Sequence, residues 1–128
     1  MRLFGVLSVV TGAGLAVAET LLNWGDWQWA PFYVIDFVAA ALLIVAGVRT
    51  ILGRADAVAL SCAAWFFSAG MAWMSFFGNL QHACPDHPAN CGPYLGLVGG
   101  FFAWTVVGSV GSAVFAWRYA GGRHQAIR

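Results

Sequence analysis

The chain has 128 residues, 61% hydrophobic and only 9% charged, with a formal net charge of +1 and a mean hydropathy of +0.76. A soluble domain carries about a quarter charged residues, so this chain has too few charges to cover its apolar surface in water. An ordinary soluble enzyme is excluded, and the near-neutral balance offers nothing to a nucleic acid.

The first apolar run, Leu3 to Leu22, is long enough to span a bilayer, which takes about 20 residues. Gly5, Ser8, Gly12, Ala16 and Glu19 recur at spacings of three and four, so they share one helix face. Small residues let helix backbones approach closely in lipid. Glu19 continues that face and is expected to point inward. The same segment has the form of a signal peptide, with Ala16-Val17-Ala18 as its cleavage site; it is read here as a retained span. The connector that follows carries Trp24, Trp27 and Trp29, then Phe32 and Tyr33. These rings suit an interfacial belt or an aromatic lid able to hold a cation.

The second run, Phe32 to Thr50, holds Asp36 near its start. A helix beginning near Val34 would make Asp36 a first-turn acid favoured by the dipole. The third run, Ala57 to Phe77, presents Ser61, Ala64, Ser68, Ala72, Ser75 and Asn79 as a second small stripe. Trp65, Trp73 and Trp104 fall mid-helix, where packing or lipid contact is expected. The fourth run, Tyr94 to Trp117, offers Gly96 and Gly100 as G-x-x-x-G, either for close packing or for a homodimer face, and Gly108 with Ser112 as a second small pair. Short linkers make the whole an all-α, antiparallel four-helix transmembrane bundle. It forms a single domain over 1–128, with spans of about 3–22, 32–50, 57–77 and 94–117.

Lysine is absent, and all six basic residues are arginines at 2, 49, 54, 118, 123 and 128. Four spans place every one of them on one side. By the positive-inside rule both termini are cytoplasmic in a multi-pass protein of the bacterial inner membrane. Glu19, Asp26, Asp36 and Asp86 fall on the opposite side, away from any Lys or Arg. Glu19, Asp36, Asn79, Gln81, His82, Tyr33 and Trp24 are therefore expected to meet near the outer surface as a ligand, proton or cation site. An acid at such depth must be protonated, paired or wet.

The segment "QHACPDHPANCGPY", Gln81 to Tyr94, is expected to be an outer loop. Cys84 and Cys91 would face an oxidising compartment and form a disulfide, worth about 2.5 kcal/mol for so short a ring. The competing reading is a metal set of His82, Cys84, His87 and Cys91, but paired ligand spacings are missing. A self-contained thiol oxidase would need a second external pair, and no C-x-x-C occurs. No other catalytic motif and no cofactor is expected. The function expected is that of a small non-enzymatic membrane component, an accessory subunit or binding module with an outward-facing acidic and aromatic site. Its partners would be membrane lipid and a homodimer or larger membrane complex, with no nucleic acid. The alternatives are a dimeric transporter of a cation or cationic solute using Glu19, and an outer-leaflet enzyme using Glu19, Asp36 and His82. The disulfide predicts an intact mass, taken without reductant, lower by two hydrogens than after reduction; an unchanged mass would contradict it.

Overall fold

The computed structural model describes residues 2–23, 30–83 and 88–125, and of residues 23, 30–33, 82–83, 88–91 and 120–125 the backbone alone. Its elements are α1 (Arg2–Asn23), α2 (Ala30–Ile51), α3 (Ala57–Gly78), a π-helical turn (Asn79–Ala83) and α4 (Pro88–Gln125). Each helix is long and apolar enough to cross a membrane, over Arg2–Leu22, Val34–Ile51, Ala57–Gln81 and Gly92–Tyr119. The reading of an all-helical chain with four helices long and apolar enough to span a membrane is thus what the structure has. The cysteine-bearing segment differs from expectation. It is helical again from Pro88, so Cys91 lies on α4 rather than in a loop. Proline at the first helical position explains the early start, because its fixed φ suits a helix and the N–H it lacks would be unpaired there.

Neighbouring helices run antiparallel. On α1 and α2, Gly5 meets Gly47 and Ile51, whereas Gly12 meets Ala40 and Ile44. On α3 and α4, Cys62 donates from Sγ to the Ser112 carbonyl (3.4 Å), and Phe76 lies against Gly99 and Phe102. Between α2 and α3 the chain turns at Gly53, whose φ of +66° is the left-handed conformation that ends many helices. Arg49 pairs with Asp56 across that turn at 2.6 Å. Arg2, Arg49, Arg54 and Arg118 all fall at this end of the bundle, called the arginine end below. Glu19 and Asp36 mark the other.

The core sits toward the arginine end and is built from small residues around one large one. Trp65 is 1% exposed, packed with Leu43, Ala46 and Ala64 and flanked by Phe4, Leu42 and Leu60. Its indole Nε1 donates to Ser8 Oγ at 2.9 Å, and Ser8 itself donates to the Phe4 carbonyl. Its ring lies against Gly108, where an added methyl would overlap three ring carbons. Two small stripes pack toward the arginine end: Gly5, Ser8 and Gly12 on α1, and Ser61, Ala64, Ser68 and Ala72 on α3, are buried, whereas Ala16, Glu19 and Asn79 are half-buried and Ser75 is exposed. At Gly5 the approach is tight, since a methyl there would lie 2.7 Å from the Gly47 carbonyl oxygen.

The buried hydroxyls are all satisfied. Thr50 and Ser61 share a hydrogen bond at 3.1 Å, while Ser68, Thr105, Ser109 and Ser112 bond to carbonyls of their own helices. No buried side-chain N or O among the described residues lacks a partner, as an apolar surrounding demands, because water cannot step in.

Gly96 and Gly100 break with the packing expectation. Both are exposed, and a methyl at either would meet nothing within 4 Å. The buried face of α4 is Thr105, Gly108, Ser109 and Ser112, nearer the arginine end, because α4 closes there on the Trp65 ring. Substitution separates the two glycine pairs. Gly108→Ala is expected to destabilise by about 1–3 kcal/mol through overpacking, measured by tryptophan-monitored unfolding in detergent. Gly96→Ala should leave stability unchanged or raise it slightly. Equal losses for the two variants would contradict this packing.

Candidate functional site

The bundle is not closed along its whole length. Among the described residues, no Cα of α1 lies within 8 Å of a Cα of α3 or α4. Long side chains bridge α1 to these helices over the arginine half instead. Phe4 stacks on Phe115 with ring centroids 6.4 Å apart, Trp65 reaches Ser8, and Trp104 Nε1 donates to Thr11 Oγ1 at 3.0 Å. Beyond Thr11, α1 continues with Gly14 and Ala18, too short to reach across. Meanwhile Phe76, Phe77, Phe102 and Trp73 interlock and hold α3 to α4. The seam between α1 and the α3–α4 pair therefore opens into a cleft of about 1090 Å³.

Helical periodicity lines this cleft. On α4 the lining residues are Tyr94, Leu97, Val98, Phe101 and Trp104; on α3 they include Phe67, Met71, Met74, Ser75 and Gly78. Steps of three and four keep each set on one face. α1 supplies Thr11, Leu15, Ala18, Glu19 and Leu22, and α2 supplies Ile35 and Asp36. The walls are apolar and aromatic, and Met74 is 70% exposed at the rim. The charged groups are confined to one end.

At that end the Asp36 side chain hydrogen-bonds to that of Glu19. Ionised carboxylates are acceptors only, so a bond between two carboxyl groups requires that one carry the proton. Both residues are half-buried. The Tyr94 side chain lies within electrostatic reach of both. Asn79 also lines the cleft, with its amide nitrogen donating to the Ser75 carbonyl of its own helix at 2.8 Å. The dipole reading of Asp36 does not hold. α2 starts at Ala30, so no acid stands in its first turn, and the dipole's influence falls off within that turn.

The structure thus brings together Glu19, Asp36 and Asn79 from the residues the sequence marks. Gln81 is exposed and is not among the lining residues. Tyr33, His82 and Cys91 lie on helical backbone, but their side chains, like Trp24, Cys84 and His87 as a whole, fall outside the described residues. The disulfide and the four-ligand metal set fall there with them. Among the described residues no three His, Cys, Asp or Glu gather as a metal set. Cys62, near the arginine end, is a free thiol.

Sequence reasoning missed the length of the cleft. Tyr94 reads as a helix start and Trp104 as packing, yet both line it, Trp104 at its closed end. The signal available was the aromatic and apolar stripe 94–97–98–101–104, which faces the same way as the methionine stripe of α3. What the sequence does not reveal is that Gly14 and Ala18 leave room opposite them. Compared with protein-family models, with curated proteins and with solved structures, the chain matches none.

If Glu19 and Asp36 act as one bonded unit, Glu19→Gln and Asp36→Asn will not be additive. A double-mutant cycle on unfolding in detergent is expected to give a coupling of about 0.5–3 kcal/mol. Strict additivity would contradict the pairing.

Proposed function

We propose that this chain is a non-enzymatic, membrane-embedded binding module that takes a small ligand into the α1–α4 cleft, with the Glu19–Asp36 pair as its polar anchor. The observation that carries this reading is the form of the cleft, apolar walls with convergent polar groups at one end only. Ligand sites are typically of this kind, about 300–1,000 Å³ with a few placed polar groups, and 1090 Å³ lies just above that range. The module sits in the bacterial inner membrane with the arginine end cytoplasmic, so that the acids and the mouth of the cleft belong to the outer leaflet.

Binding is favoured over transport by what lies beneath Thr11 and Trp104. Alternating access places a site near the midplane, with a path to either side. Here Phe4, Trp65 and Phe115 fill the interior between the cleft and the arginine end. Gly96 and Gly100, exposed on α4, give the module a surface on which a second copy or a partner helix can pack closely.

Native mass spectrometry from mild detergent tests the reading. The wild-type protein is expected to carry a small-molecule adduct that Gly70→Phe, placed to fill the cleft, removes without unfolding the chain. An adduct-free wild type, or an adduct that Gly70→Phe retains, would contradict it.

A further inference from the structure

Resting on that reading, the cleft also bears on what kind of molecule it takes. Its length is set by its lining. Thr11 to Glu19 on α1 covers about 12 Å at 1.5 Å per residue, and Phe66 to Asn79 on α3 covers about 20 Å. A bare metal ion or a small hydrophilic solute would meet only the polar end, leaving most of this wall without a partner. An occupant that satisfies the whole cleft is therefore amphiphilic, with an apolar body about 12–20 Å long and one polar head.

The head is decided by charge. The polar end of the cleft presents two carboxyl groups, Glu19 and Asp36, and no cationic side chain lines the cleft among the described residues. No Lys or Arg lies on that side of any span, since the arginines stand at 2, 49, 54, 118, 123 and 128. An ammonium group would bring one positive charge and up to three donors to carboxylate oxygens, and Tyr94 lines the same cleft. A phosphate-bearing head would set an anion against two carboxyl groups on a side that carries no Lys or Arg, and like-charge juxtaposition is costly. The walls suit an apolar body of variable shape, because Met71 and Met74 adapt where rigid side chains cannot. Access is lateral: Phe66 and Met74 are 55% and 70% exposed along the rim, facing the surroundings of the bundle.

We infer that the cleft binds amine amphiphiles, molecules with a single cationic amine and an apolar body but no anionic group, entering sideways with the amine on Glu19 and Asp36 and the body along Met71 and Phe101.

Photolabelling in phosphatidylcholine nanodiscs tests this with three probes that share one alkyl chain and a chain-end diazirine. One is dodecylamine, one is dodecanol, and one carries a phosphoethanolamine head. The expected result is labelling by the amine of peptides spanning 66–78 and 97–104, at least tenfold above the alcohol and the phospho-probe. Glu19→Gln/Asp36→Asn, which keeps the size and hydrogen bonding of both side chains, should lower amine labelling to the level of the alcohol. Elution of that variant at the wild-type volume on size exclusion controls for folding.

Equal labelling by amine and alcohol would overturn the amine assignment. The binding reading would then stand or fall with the adduct that Gly70→Phe removes. Labelling by the phospho-probe as strong as by the amine would overturn the exclusion of phospholipid heads. Amine labelling that persists in the double variant would overturn the role given to the acid pair.

Discussion

Everything in this bundle is arranged around the indole of Trp65. Among the described residues it is the one bulky side chain fully inside a core otherwise made of Ala, Ser, Thr, Gly and a single buried Leu. Its N–H must find an acceptor, because an unpaired donor in an apolar interior is costly, and Ser8 on α1 supplies it. Its ring must find room, and Gly108 on α4 supplies that. One residue of α3 therefore fixes the approach of both α1 and α4 over the arginine half. Toward the other end α1 presents Gly14 and Ala18 to the cleft, and the seam parts although Phe67, Met71 and Phe101 line its far wall.

A four-helix bundle of this composition has little else to decide its shape. In lipid, association depends on packing and hydrogen bonds, since burial of apolar surface gives no advantage over contact with lipid tails. The α1–α2 pair uses close backbone approach at Gly5, Gly12 and Gly47, and the α3–α4 pair uses aromatic interlock at Phe76, Phe77 and Phe102. These are two different adhesives. Each holds its own pair together, and the Thr50–Ser61 hydrogen bond with the Leu43, Ala46, Ala64 and Trp65 cluster joins α2 to α3. The remaining seam is left to long side chains, and it alone gives way. Placing Glu19 and Asp36 at the parted end is affordable on physical grounds because they bond to each other.

The fold was legible in the sequence because its determinants are local. Apolar run length marks the spans, arginine position marks one end, and small residues at three-and-four spacing mark the faces of α1 and α3. That Glu19 and Asp36 lie at the same end was legible from depth alone. The misplaced elements share a different cause. Asp36 reads as a first-turn acid only if α2 begins at Val34, and helix starts are poorly marked where Pro and aromatics crowd together. Gly96 and Gly100 match a packing motif, but no neighbouring helix comes close to them, and proximity is a tertiary fact. The cleft itself depends on the absence of reach from Gly14 and Ala18 toward Phe67, Met71 and Phe101. That relation joins three helices and is written in none of them.

The split seam is the central claim, and distances across it measure it directly. Spin labels can be placed in pairs on exposed positions of α1 and α4, Leu7 with Val107 over the arginine half and Leu22 with Leu97 over the cleft, in lipid nanodiscs. Double electron–electron resonance is predicted to give a longer mean separation and a broader distribution for the Leu22–Leu97 pair than for the Leu7–Val107 pair. Equal separations with equally narrow distributions would mean that α1 and α4 stay parallel to the end of the bundle, and there would be no cleft for the acids to serve.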